Sequence, residues 1–355
     1  MPAQEYVDAV LKESRSVNSL EPLETIYLGG GTPSLLPPEA IAALLHDLAL
    51  MPRTPRPSGS PLGHSAPRTA VEVTLEANPE DVTPESARAW RAAGVNRVSL
   101  GAQSFDDRVL QWMHRSHDAA RIGAAVHALK DAGIENISLD LIFALPEELK
   151  RDWERDLDMA LSLKPSHLSL YGLTVEPRTP LDRWISRGAA RPPTDERYAE
   201  EYLFAHRRLA ADGFEFYEVS NAALHGFISR HNSTYWSGSP YLGLGPAAHS
   251  FDGRARRWNL SAWEAYRRAI AEGRSPVESE EVLTDEQREL EGAYLSLRTV
   301  EGLPRSACPP DRLTAWLGAG WVEVIGDRIR CTAEGWLRLD ALVAKLFSTK
   351  GLSPS

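Results

Sequence analysis

Short apolar runs and helical stretches take turns along most of this chain. The first run, Thr25-Ile26-Tyr27-Leu28, leads directly into Gly29-Gly30-Gly31-Thr32-Pro33-Ser34. Beyond Pro37 and Pro38 the apolar residues Ile41, Leu44, Leu45 and Leu48 recur at helical spacing. Val71–Glu76 reads as a second strand. Thr83 and Pro84 then supply an N-cap and a first-turn proline for a helix that stops at Gly94. Val98-Ser99-Leu100 opens a third strand, and the helix after it ends at Gly133. Asn136–Ile142 and His167–Tyr171 read as the next two. A helix running to Ala211 closes at Gly213 and leads into Phe214–Val219. Six strands counted from Thr25, alternating with helices, predict a parallel α/β sheet, either open or curved into a barrel.

Near residue 280 the pattern changes. Thr284-Asp285-Glu286-Gln287 forms a capping box for a helix through Leu297. Trp321–Ile325 and Arg328–Cys331 flank Gly326-Asp327 as a hairpin, and a last helix carries Leu337, Leu339, Leu342 and Leu346. This predicts a small winged-helix-like unit over 281–350, a barrel over 1–222 and a connecting region over 223–280. Residues 51–69, rich in Pro, Gly and Ser, predict a flexible surface insertion without chemistry.

Composition narrows the function. The 355 residues are 43% hydrophobic and 25% charged, ordinary for a soluble globular protein. No apolar run approaches the roughly 18–20 residues that span a bilayer. The N-terminus lacks a basic start and an apolar signal core, so a cytoplasmic location is expected. A net charge of −10 argues against a general nucleic-acid binder. Cys308 and Cys331, the only cysteines, lie too far apart for a metal motif or a disulfide framework.

Ligands of parallel α/β folds sit at the carboxyl ends of the strands. Polar residues stand there repeatedly: Glu76 before Ala77-Asn78-Pro79, Gln103 after Leu100-Gly101-Ala102, and Asp140 between Leu139 and Leu141. Singly, each has a local use: capping a loop, bonding backbone or pairing with an arginine. Together on consecutive strand ends they point to a ligand. Carboxylates suit ribose hydroxyls or an ammonium group, Arg115 can grip a carboxylate, and bare glycine backbone at 29–31 can meet an amino-acid moiety. A zwitterionic nucleotide fits these groups. A second cluster, Arg230-His231-Asn232-Ser233-Thr234-Tyr235-Trp236 followed by Gly238, Tyr241, Gly243, Gly245 and His249, combines an imidazole with aromatics. It suits a flat aromatic cofactor with a histidine iron ligand, although a loop histidine bonded to backbone is the commoner arrangement.

These blocks resemble the radical S-adenosylmethionine (SAM) proteins related to oxygen-independent coproporphyrinogen III oxidase, in their HemW-like haem chaperone branch. The resemblance runs from about Tyr6 to the C-terminus through Gly-Gly-Gly-Thr-Pro-Ser-Leu at 29–35, Leu-Glu-Ala-Asn-Pro at 75–79 and Gly-Ala-Gln-Ser-Phe at 101–105. Asp-Leu-Ile-Phe-Ala-Leu-Pro at 140–146 and Tyr-Glu-Val-Ser-Asn at 217–221 continue it. It implies a partial (β/α)6 barrel with SAM across the strand ends, held by Gly30, Gly31, Thr32, Glu76, Gln103, Arg115, Asp140 and Thr174, with His249 at a further family position. His-Asn-x-x-Tyr-Trp at 231–236 matches the branch's haem motif, so the resemblance implies His231 as haem ligand.

Family members carry Cys-x-x-x-Cys-x-x-Cys, which holds a [4Fe–4S] cluster, ahead of the region where this chain starts. The expectation is a chain short of that motif and of the first barrel strand, with the cluster and its electron donor belonging only to a complete form. Three readings follow. The first is a haem chaperone that delivers haem to client proteins. The second is a coproporphyrinogen III oxidase of porphyrin biosynthesis. The third is a cluster-less, non-catalytic haem-binding protein. The residues leave open whether the chain is an enzyme.

Overall fold

The structure, a computed structural model, describes residues 2–17, 23–49, 71–177, 179–188 and 190–347. The insertion expected at 51–69 lies outside the described residues. Seven strands form one sheet that curls into a half-barrel: β1 Thr25–Leu28, β2 Glu72–Ala77, β3 Arg97–Gln103, β4 Asn136–Phe143, β5 His167–Gly172, β6 Glu215–Glu218 and β7 Asn221–Ala223. Their order is β1-β2-β3-β4-β5-β7-β6, with β1 to β5 parallel.

The sixth predicted strand exists, but it does not join β5. Ser220 turns the chain back, so β7 runs antiparallel to β5, and β6 bonds β7 at the sheet's edge. The reversal is local: Leu170 N donates to Ser220 O at 2.7 Å, and Glu218 accepts from Ser220 N at 3.0 Å. Helix ends follow the sequence cues. Thr83 and Ser86 form a reciprocal cap at the start of Pro84–Ala93, and Gly94 closes that helix at φ +110°.

The central strands have two chemically different faces. Val73, Leu75 and Ala77, then Val98, Leu100 and Ala102, then Ile137, Leu139, Leu141 and Phe143 are buried in the apolar core under the helices. The alternate positions turn the other way and are mostly polar: Thr25, Tyr27, Glu72, Thr74, Glu76, Arg97, Ser99, Ser138, Asp140, His167 and Ser169. Parallel strands are usually apolar on both sides. A polar inner face therefore marks a half-barrel lined for chemistry.

Beyond the barrel, β8 His249–Phe251, β9 Ala255–Asn259 and β10 Val277–Val282 make a small antiparallel sheet. The C-terminal part holds the helix Asp285–Arg298, capped by Thr284 and Gln287, and the strands β11 Leu303–Pro304, β12 Val322–Ile325 and β13 Arg328–Cys331. The expected last helix is broken into Ala333–Trp336 and Leu339–Phe347, with Leu337 between them. Arg338 N bonds Gly335 O at 2.9 Å, a tightened i+3 turn that interrupts the α-helical ladder. One continuous apolar core joins Leu297, Trp316 and Leu342 of this part to the barrel.

Candidate functional site

The glycine turn after β1 divides its labour. A side chain at Gly29 would drive its Cβ to 2.3 Å from the Tyr27 ring and 3.0 Å from the Glu76 carboxyl carbon. Gly29 is thus required by packing. Gly30 and Gly31 have φ of +80° and +81°, and nothing lies within 4 Å of where their Cβ atoms would be. They leave a bare cradle of backbone. Glu76, at the end of β2, faces it: Oε2 accepts from Gly30 N at 3.1 Å and Oε1 from the Tyr27 hydroxyl at 2.6 Å. Thr32 continues the turn at φ −142°.

The register between β3 and β4 slips between Leu100 and Gln103, a bulge that re-aims the strand end. Gln103 adopts φ +66° and lays its amide over Gly101, where a Cβ would come within 2.8 Å of Nε2. Arg115 Nη1 donates to Asn78 Oδ1 at 3.4 Å, on the loop that follows Glu76. Thr174 is exposed on the loop after β5 and bonds Gly172 O at 3.4 Å. Among the described residues it shares no hydrogen bond with the other predicted ligand contacts.

Asp140 anchors a polar chain across the inner face. Ser99 Oγ lies 3.0 Å from both carboxylate oxygens, and Ser138 Oγ lies 3.2 Å from Oδ1. Ser138 also meets His167 Nδ1 at 2.8 Å, and His167 Nε2 meets the Tyr217 hydroxyl at 2.8 Å. Burial pushes the Asp140 carboxyl up to about 6, with the serine bonds and the Arg97 charge opposing it. Burial holds His167 well below its ordinary range, which keeps that imidazole neutral. Arg97 is 1% exposed and, among the described residues, its Nε has no hydrogen-bond partner; its charge acts on Asp140, His167 and His231.

His231 lies on a short helix, Arg230–Trp236, capped by Ser229, and not in a loop. Glu72 at the start of β2 holds this helix, accepting from Arg230 N at 3.0 Å and His231 N at 2.9 Å. The His231 ring stacks on Tyr27 at 4.8 Å with 21° between the planes. Its Nδ1 lies 2.8 Å from Thr25 Oγ1, and its Nε2 lies 2.9 Å from the Tyr235 hydroxyl. Burial, then repulsion by Arg97, lowers its pKa to about 4. The imidazole is therefore neutral at physiological pH, the form that ligates iron. Tyr27 touches both clusters, bonding Glu76 through its hydroxyl and His231 through its face. His249 is exposed on β8 and stacks on Trp258 at 6.1 Å.

Sequence reasoning overlooked Thr25, Tyr27 and Glu72, which position the second cluster, and Arg97, whose charge acts on it. Their signal was available as polar residues at every second strand position. The chain's residues do not fit a [4Fe–4S] cluster. Cys308 and Cys331 are both buried in the C-terminal part, and burial pushes the Cys331 thiol up to about 12. Among the described residues no group of three or more His, Cys, Asp or Glu side chains is placed to hold a metal ion. No described helix is long and apolar enough to cross a membrane.

The chain is similar to known proteins. The Radical SAM superfamily model matches residues 2–160. "Heme chaperone HemW" of Mycobacterium tuberculosis (strain ATCC 25618 / H37Rv) is 38% identical over 327 residues, covering 91% of this chain and 80% of that one. "Heme chaperone HemW" of Bacillus subtilis (strain 168) is 36% identical over 310 residues, covering 86% and 78%. Among solved structures, the coproporphyrinogen III oxidase HemN of Escherichia coli, described as a radical SAM enzyme, superposes with a TM-score of 0.76. That match covers 98% of this chain and 83% of the other at 20% identity, a likeness of fold.

Proposed function

The chain belongs to the HemW family of heme chaperones within the radical SAM superfamily, and from that membership we propose a protein that binds haem through His231 and passes it to client proteins. The observation that carries this reading is the state of His231. Its ring is neutral, fixed by Thr25 and Tyr27, and mounted on a helix that Glu72 anchors to the sheet. Iron ligation needs a neutral imidazole in a fixed orientation. Ferric haem titrated into the full chain is expected to give a histidine-ligated absorption spectrum. His231→Ala is expected to weaken binding at least about tenfold. Equal affinity in that variant would sink the assignment.

SAM fits the other cluster. The bare cradle at Gly30 and Gly31 suits its amino-acid end, and Glu76, Gln103 and Asp140 suit its ammonium and ribose hydroxyls. Thr32, Arg115 and Thr174 complete the proposed set. When bound, SAM supplies a sulfonium with a transferable adenosyl or methyl group. Asp140 would accept hydrogen bonds as a carboxylate. Its folded pKa of about 6 means that it takes up a proton as the pH falls through that value. SAM affinity measured by calorimetry is thus expected to fall several-fold between about pH 7.5 and about pH 5.5. Asp140→Asn should flatten that dependence. A pH-independent affinity in the parent chain would remove Asp140 from the contacts.

The chaperone reading is preferred to porphyrin oxidation because of the His231–Trp236 motif and of relatives named as heme chaperones. We place this chain in the cytoplasm on the same reading, with haem-accepting proteins as its partners.

A further inference from the structure

We infer that Tyr235 is a latch on His231: its hydroxyl occupies the imidazole nitrogen that the haem iron needs, and haem binds only as the phenol leaves. The inference rests on the reading of His231 as iron ligand. Three contacts define which nitrogen is available. Nδ1 points at Thr25 on β1, 2.8 Å away, and one ring face is covered by Tyr27. The ring is therefore not free to exchange its nitrogens, and ligation falls to Nε2. That atom lies 2.9 Å from the hydroxyl of Tyr235, one helical turn further on. Tyr235 is 37% exposed and packs edge-on against Tyr241 at 4.8 Å, so it stands between Nε2 and solvent.

The hydrogen positions follow from donor strength. A phenol is a stronger donor than an alkyl alcohol, so Tyr235 donates to the Nε2 lone pair and Thr25 accepts from Nδ1–H. In this tautomer the exchange is balanced without proton transfer. The O–H···Nε2 bond breaks, the same lone pair forms the Nε2–iron bond, and the proton stays on the phenol. With the opposite tautomer, Nε2 is still engaged by the same hydroxyl. The contact thus costs haem affinity while it orients an otherwise open ligand.

The test is titration of the full chain with ferric haem, followed by absorbance at equilibrium and by stopped flow. Tyr235→Phe keeps the ring and removes the hydroxyl. It is expected to bind about fivefold more tightly, the worth of one hydrogen bond, with faster association and an unchanged histidine-ligated spectrum. Thr25→Val removes the Nδ1 partner and is expected to weaken binding. The opposite signs distinguish a latch from general damage to the helix, which would weaken both variants. Unchanged or weaker binding by Tyr235→Phe, with His231→Ala defective, would overturn the latch alone. Undiminished binding by His231→Ala would instead overturn the ligand assignment, and the latch with it.

Discussion

Arg298→Ala is expected to destabilise the protein by about 3–5 kcal/mol at neutral pH, the cost of leaving a buried charge without its partner. The Glu218 side chain is 0% exposed, and its carboxylate lies 2.7 Å from Arg298 Nη2. The same guanidinium stacks over the Trp236 ring, with Cζ 4.1 Å from the centroid. One arginine therefore joins β6, the C-terminal helix Asp285–Arg298 and the last residue of the His231 helix. Nearby backbone strengthens the joint: Val219 N donates to Arg298 O at 3.2 Å, and Val300 N to Tyr217 O at 3.1 Å. The pH dependence has a definite sign. Burial raises the Glu218 carboxyl above its ordinary value, with Arg298 opposing. A raised folded-state pKa means that the folded form holds the proton more tightly, so protonation recovers stability as the pH falls. Without Arg298 that rise is larger. Denaturant unfolding at several pH values should show the deficit shrinking between about pH 8 and about pH 5. A deficit under about 1 kcal/mol at the higher pH, or one that grows on acidification, would show that the pair holds nothing together.

The architecture was legible because its signals are local. Glycine at 94, proline at 84 and the Thr284–Gln287 box each act within one turn of chain, and helix boundaries formed where they pointed. Gly30, Gly31 and Glu76 were legible as a ligand cradle for the same reason, since they stand where a strand ends. The reversal at Ser220 was not. Phe214–Val219 has the pattern of a parallel strand, and nothing in it reveals that Asn221–Ala223 will take the place beside β5. The second cluster was only half legible. His231 and Tyr235 announce themselves by motif, but Thr25 and Tyr27 lie some 200 positions away and meet them only because the sheet curls. Period-two polarity in β2 through β5 could have exposed this inner face. It was hidden by reading each strand for its end and not for its alternation.

Glu72 is where that oversight matters most, and Glu72→Ala is expected to reduce haem affinity about 10–100-fold while His231 itself is untouched. The residue is 6% exposed, and its two carboxylate oxygens take the backbone N–H groups of Arg230 and His231. These are the orphan donors at the start of a short helix, which a side chain must satisfy if they are buried. Bonds to an ionised acceptor are worth about 1.5–3 kcal/mol each, so losing both outweighs the intrinsic stability of a two-turn helix. The helix would then drift from β2. Thr25 and Tyr27, which fix the imidazole from the neighbouring strand, would no longer meet it in register. Glu72→Gln should fall between, because an amide has one acceptor oxygen for two donors. Haem titration alongside urea unfolding separates the effects. Stability should drop by roughly 3 kcal/mol, with the haem deficit persisting under conditions where the variant is fully folded. Parent-like haem affinity in that folded variant would mean that the His231 helix keeps its place without the sheet, and that ligand geometry is set by Ser229 and Trp236 instead.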